Sequence, residues 1–183
     1  MVSGSDTRYK YFMVRLFLAA SILIVILVEL PLALIPPTAR DALIYHLAYP
    51  KLWIKHGFIE LPFAFYSYYP MNTELIYLLP LYFGRDTLTA LIHMAFGLMT
   101  AGLIYYYLKS KIDSTYALLG VLVFLSTPIA IKLSTIPYVD LALAFYSTGA
   151  LLALLRWKEG KAVKWLLLAA ISAGLAAGTK YNG

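Results

Sequence analysis

Long apolar runs separated by short polar turns organise this chain. Five stretches, near residues 12–35, 87–108, 115–134, 139–156 and 162–179, approach the roughly 20 apolar residues that a bilayer-crossing helix needs. Between the first and second lies a segment, 36–86, too long for a simple connector. In it Leu43, Leu47, Leu52, Trp53 and Ile54 recur at near-helical spacing among charged residues, which predicts an amphipathic helix lying at the interface. A second short helix is expected from Asn72 to Phe83, because Pro70 permits a start and Gly84 a stop. It is too short to span and contains Pro80. The pattern predicts an all-α membrane protein, a single transmembrane domain over 1–183 with about five spans and a long outer loop at 36–86.

Composition agrees. Hydrophobic residues make up 62% and charged residues 13%, with a mean hydropathy of +0.77, outside the range of a soluble domain of this length. There is no cysteine, so neither a disulfide framework nor a thiolate metal site is available. The net charge of +6 does not point to nucleic acid, because the basic residues occupy short loops rather than one face. They act as topology signals. Arg8, Lys10 and Arg15 precede the first span, Lys109 and Lys111 follow the second, and Arg156, Lys158, Lys161 and Lys164 lie between the fourth and fifth. The positive-inside rule places these three segments, and with them the N-terminus, in the cytoplasm. The first apolar run is too long for a signal peptide and lacks a small-residue cleavage site, so it is expected to remain as a span. The other face then carries 36–86, the turn at 134–140 and the C-terminal residues.

Two acids consequently meet on the outer face. Asp41 follows Pro36-Pro37-Thr38-Ala39-Arg40, and Asp140 closes Ile136-Pro137-Tyr138-Val139. Carboxylates at a membrane boundary are costly to place and are default functional candidates. Both positions also suit helix N-caps, which need no chemistry.

The residues around them resemble a family. Arg40-Asp41-Ala42-Leu43-Ile44-Tyr45-His46-Leu47, Tyr49-Pro50-Lys51-Leu52-Trp53 and Gly57-Phe58-Ile59 are similar to the first luminal loop of polytopic GT-C glycosyltransferases of the protein-mannosyltransferase type. Tyr69-Pro70-Met71-Asn72-Thr73-Glu74-Leu75-Ile76-Tyr77 resembles the end of that loop. Val139-Asp140-Leu141-Ala142-Leu143-Ala144-Phe145-Tyr146 resembles the second acidic motif, and Gly174-Leu175-Ala176-Ala177-Gly178-Thr179-Lys180-Tyr181 the end of the fifth span. The resemblance implies an integral membrane enzyme that takes a sugar from a polyprenyl-phosphate donor on the extracytoplasmic face and passes it to a lipid, glycan or protein acceptor. It also implies that the chain is the N-terminal portion of such an enzyme and is inactive alone if later spans are needed.

That chemistry asks for a carboxylate base beside a weakly nucleophilic hydroxyl. It also needs a cation, metal or side chain, at the leaving phosphate. Asp41 is assigned as the catalytic base. Asp140 and Glu74 are assigned as ligands of a divalent cation (Mg, Mn or Ca), oxygen donors being suited to hard ions. Tyr45, His46 and Lys180 are assigned to substrate, Lys180 to the carrier phosphate. Each has a plainer alternative: Glu74 as a first-turn helix acid, Lys180 as a snorkelling interfacial lysine, His46 as an interfacial histidine on an aromatic-rich helix. His93, inside the second span, is expected to hydrogen-bond a neighbouring helix, and Glu29 to line the carrier's path or to pair with another span. The clustered tyrosines fit an aromatic belt as well as sugar stacking. A transporter or lipid flippase with ion-binding boundary acids is the alternative function, though such folds place their sites near mid-membrane within inverted repeats. A non-catalytic bundle subunit is a third.

Overall fold

The computed structural model describes residues 4–58 and 65–181. The part of the expected outer loop at 59–64, with Glu60, and residues 182–183 lie outside the described residues. Those described are helical throughout: α1 (Gly4–Ala33), a π-helical turn (Ala42–His46), α2 (Ala48–His56), a 3-10 turn (Phe65–Tyr68), α3 (Asn72–Tyr82), α4 (Thr87–Lys111), α5 (Ser114–Leu125), α6 (Pro128–Ser134), α7 (Asp140–Gly160) and α8 (Val163–Ala177). This is the architecture of an all-α membrane protein. By length and composition α1 and α4 are apolar enough to cross a bilayer, and α5 with α6 makes a third span if the bent pair counts as one.

The chain wraps around α4, which touches α1, α3, α5, α6 and α7, while α7 pairs closely with α8. Helix α1 presents Leu23, Ile24, Leu27 and Val28 outward, each more than half exposed. Apolar side chains facing outward cost nothing against lipid, whose tails are as apolar as leucine. The interior seams are small or polar instead. Ala90, Gly97 and Ala101 sit buried on α4, and Thr100 returns its hydroxyl to Phe96 O at 2.9 Å, allowing close helix approach.

Of the other expected spans, the fourth is α7, which does not meet that measure of length and composition, and two differ in form. The run at 115–134 is not one straight helix but breaks between Leu125 and Pro128 with a bend of 68°. Pro128 has no N–H to continue the ladder, and it drives Thr127 out of the helical region to φ −63°, ψ 128°. Thr127 Oγ1 covers Val123 O at 2.7 Å, satisfying a carbonyl that the break exposes. Helix α8 is apolar but has only 15 residues. The short helices of the outer segment match the sequence pattern: α2 ends at Gly57 (φ 77°) and α3 at Gly84 (φ 66°), both in a region that favours glycine.

His93 ties the bundle together where the site forms. Its Nδ1 lies 2.9 Å from Leu133 O and 2.8 Å from Ile136 O, and its Nε2 accepts the Leu141 N–H at 2.9 Å. Those contacts require the neutral Nδ1–H tautomer. The imidazole thus clamps the end of α6, the following turn and the start of α7, as expected of a histidine bonded to a neighbouring helix. His93→Phe keeps the volume but orphans the Leu141 N–H and takes a second donor from Leu133 O and Ile136 O, which keep the backbone N–H groups of Ile136 and Tyr138. At about 1–3 kcal/mol for a buried polar group left unsatisfied, we expect a clear fall in melting temperature in detergent, together with loosening of the turn that carries Tyr138 and Asp140.

Candidate active site at the outer-segment end of the bundle

The site forms where the π turn, α3, the α6–α7 turn and the residues after α8 converge. The α8 end is fixed to the α3 start by backbone: Asn72 N–H donates to Gly178 O at 3.0 Å. A Cβ on Gly178 would lie 1.9 Å from Asn72 Nδ2, so the approach needs glycine or a displaced asparagine. Beside it the buried hydroxyls of Thr73 and Thr179 meet at 3.2 Å. The segment bearing Lys180 is therefore held against the segment bearing Glu74, although 106 positions separate Glu74 from Lys180 in the chain.

Asp140 opens α7 without capping it. Its Oδ1 accepts from Lys180 Nζ at 2.7 Å in a pair left partly open, with the side chains 30% and 39% exposed respectively. Lys180 is thus neither a free snorkelling lysine nor remote from the acid. Asp41 stands just before the π turn, half-buried, and makes no capping hydrogen bond. Neither acid makes a side-chain capping hydrogen bond, although Asp140 stands in the first turn of α7, where the helix dipole favours an acid.

Tyrosines report how close the acids lie. Burial, followed by the charges of Asp41, Asp140 and Glu74, pushes the Tyr45 hydroxyl well above its usual range. Burial and then Asp41 do the same to Tyr138, whose hydroxyl also lies against the Asp41 backbone, with the Asp140 charge raising it further and Lys180 opposing. Asp41 and Asp140 therefore both lie near the same two phenols, Tyr45 and Tyr138. Tyr45 stacks on Tyr66, with centroids 4.6 Å apart and planes 13° from parallel. Tyr69 meets Tyr45, Tyr66 and Tyr181 edge-on, so an aromatic wall runs from the π turn to the end of the described chain.

His46 and Glu74 pair with each other across the site. Both are buried, 3% and 2% exposed, and His46 Nδ1 lies 2.7 Å from Glu74 Oε1. His46 also packs on Tyr138 at 5.3 Å between ring centroids. The pair ties the π turn, which carries Tyr45 and follows Asp41, to α3. Tyr77, completely buried, adds a second tie by donating to Tyr138 O. Tyr138 and Tyr77 were missed as site residues. The signal for Tyr138 was its position between Pro137 and Asp140, in a turn with little freedom.

The two acids assigned to a divalent cation each face another partner, though Glu74 Oε2 is buried with no hydrogen-bond partner. Asp140 already holds an ammonium group, Glu74 is turned toward His46 inside the protein, and among the described residues no group of three or more His, Cys, Asp or Glu side chains converges.

The arrangement thus combines a half-buried carboxylate, a basic group steadied by a second carboxylate, and aromatic faces at the membrane boundary. Comparison with curated proteins and with solved structures returns no match. A family profile described as dolichyl-phosphate-mannose-protein mannosyltransferase matches residues 70–183. The match spans α3 to the last residue and takes in Glu74, Tyr138, Asp140 and Lys180, while Asp41, Tyr45 and His46 precede it. It covers well over half of the chain, and this protein belongs to the dolichyl-phosphate-mannose-protein mannosyltransferase family.

Proposed function

We propose that this chain carries the donor-side active site of a membrane glycosyltransferase, which moves a hexose, mannose in keeping with its family, from a polyprenyl-phosphate carrier to an acceptor hydroxyl on the extracytoplasmic face. The observation that supports this reading is that Asp41 and the Asp140–Lys180 pair lie near the same two tyrosines, Tyr45 and Tyr138. In this reading the acceptor oxygen attacks the anomeric carbon as the bond from that carbon to the phosphate oxygen breaks. Asp41 takes the acceptor's proton. The phosphate leaves on its lipid with the bonding electrons, and Lys180 offsets the charge that develops there. Asp140 is a positioning residue that aims the ammonium group. Tyr45, stacked on Tyr66, offers a flat face for the sugar.

The topology of this reading puts the N-terminus in the cytoplasm and the site outside, supported by the basic residues gathered at the far ends of α1, α4 and α7. Cysteine at the exposed Tyr68 should react with an impermeant thiol reagent in intact cells, and cysteine at the exposed Lys158 only after permeabilisation. The reverse labelling would put the site on the cytoplasmic face and overturn the proposed side of transfer. A test of the activity itself is retention of labelled polyprenyl-phosphate mannose by the purified chain: specific binding is expected, and ion-driven uptake with no donor binding would instead identify a transporter.

A further inference from the structure

A second site lies at the opposite end of the bundle. Helix α7 runs 16 residues from Asp140 to Arg156, about 24 Å at 1.5 Å per residue, so what surrounds Arg156 is remote from the sugar-transfer site. There α4, α7 and α8 leave a cavity of about 160 Å³ lined by Leu103, Phe145, Leu152, Leu168, Trp165 and Arg156, among others. An enclosed apolar space of about 150 Å³ accommodates a group the size of benzene, so this one takes a stretch of hydrocarbon chain. Its wall is almost wholly apolar, yet Arg156 stands in it and Lys164 neighbours the lining Trp165. Arg156 stacks over Tyr106 at 5.3 Å from the ring centroid, and Lys164 lies 5.5 Å from the centre of Trp165.

We propose that this groove binds one anionic phospholipid, with part of an acyl chain between α4, α7 and α8 and the headgroup phosphate on Arg156 and Lys164. Charge complementarity selects this occupant. Lys109, Lys111, Arg156, Lys158, Lys161 and Lys164 gather at this end of α4, α7 and α8, against Glu159 and Asp113. The guanidinium has five N–H donors in a planar fork. One is engaged with Ser110 Oγ at 3.1 Å, and a second faces Glu159 Oε2 at 3.6 Å, which leaves donors for a phosphate. Glu159 is itself drawn to Lys111, so it does not neutralise Arg156 alone. A rigid cation at the mouth of a hydrocarbon slot matches the division of a phospholipid into charged head and apolar tail, as basic pockets between membrane helices do for anionic headgroups. Gly149 widens the slot, and its Cβ would find Ser172 Oγ at 3.6 Å, so a small side chain fits there without displacing the wall.

The test is native mass spectrometry of the purified chain with phosphatidylglycerol or phosphatidylcholine of identical acyl chains. One phosphatidylglycerol should be retained in preference to phosphatidylcholine. Arg156→Gln should weaken that retention about fivefold, the equivalent of roughly 1 kcal/mol for one basic residue near an anionic headgroup. Lys158→Gln, which removes the same charge outside the groove, should change it little, and circular dichroism of both variants verifies folding. Equal retention of the two lipids, or equal loss in the Arg156 and Lys158 variants, would mean general surface attraction and overturn the site. Displacement by soluble glycerol phosphate as effectively as by phosphatidylglycerol would make the ligand a free phosphate and overturn the assignment to a lipid. Retention of a second copy of this chain in place of lipid would make the groove an oligomer interface.

Discussion

Asp41→Asn lowers sugar transfer by roughly a hundredfold or more while leaving donor binding close to the parental level. The amide preserves shape and much of the hydrogen bonding but has no useful proton affinity, so a defect confined to turnover isolates the base. The Asp41 side chain makes no capping hydrogen bond, which argues against a purely structural role as a cap. If Asp41 acted only through local stability, the variant would lose helicity and melting temperature in step with activity. Parental turnover in a folded Asp41→Asn protein would end its assignment as base.

Lys180→Met should raise the KM for the polyprenyl-phosphate donor about tenfold or more, the scale expected when a charge-assisted contact to phosphate is lost. Lys180→Arg should recover most of it, since a cation still reaches the phosphate. Asp140→Asn should show a smaller rise in KM, because it leaves the ammonium present but less well aimed. The ion pair at 2.7 Å is the reason to expect these two defects to be linked. The double variant should therefore fall short of the sum of the single effects. If added divalent cation restored Asp140→Asn, the acid would be a metal ligand and Lys180 would lose its proposed role.

The outer segment was legible because its signals are local. Gly57 and Gly84 end the two short helices, and the mixed apolar and charged spacing around Leu47 and Trp53 places them at an interface. The acids were legible for a different reason: at a membrane boundary each stands out against an apolar background. The bend after Leu125 was written in Thr127-Pro128, but the apolar run continues through it, and length alone made it read as a straight span. The partners of the acids were not legible. His46 meets Glu74 across 28 positions and Lys180 meets Asp140 across 40, separations that no helical or strand period encodes. The π turn at Ala42–His46 was also hidden, because a pattern read at 3.6 residues per turn does not register one widened turn. That turn changes which side chains share a face, which is why His46 points inward to Glu74 while Tyr45 meets Tyr66.

On the proposed function, the region around Asp41, Tyr45, Tyr138 and the Asp140–Lys180 pair holds the sugar phosphate of a polyprenyl donor. Photo-crosslinking with polyprenyl-phosphate mannose carrying a diazirine on the sugar tests it most directly, with the labelled residues mapped by peptide mass spectrometry. Labels on the peptides containing Asp41–Tyr45 and Tyr138–Asp140, suppressed by excess unlabelled donor, are the predicted result. Competable labels confined to the Arg156 end of the bundle, or absent from both of these peptides, would contradict it.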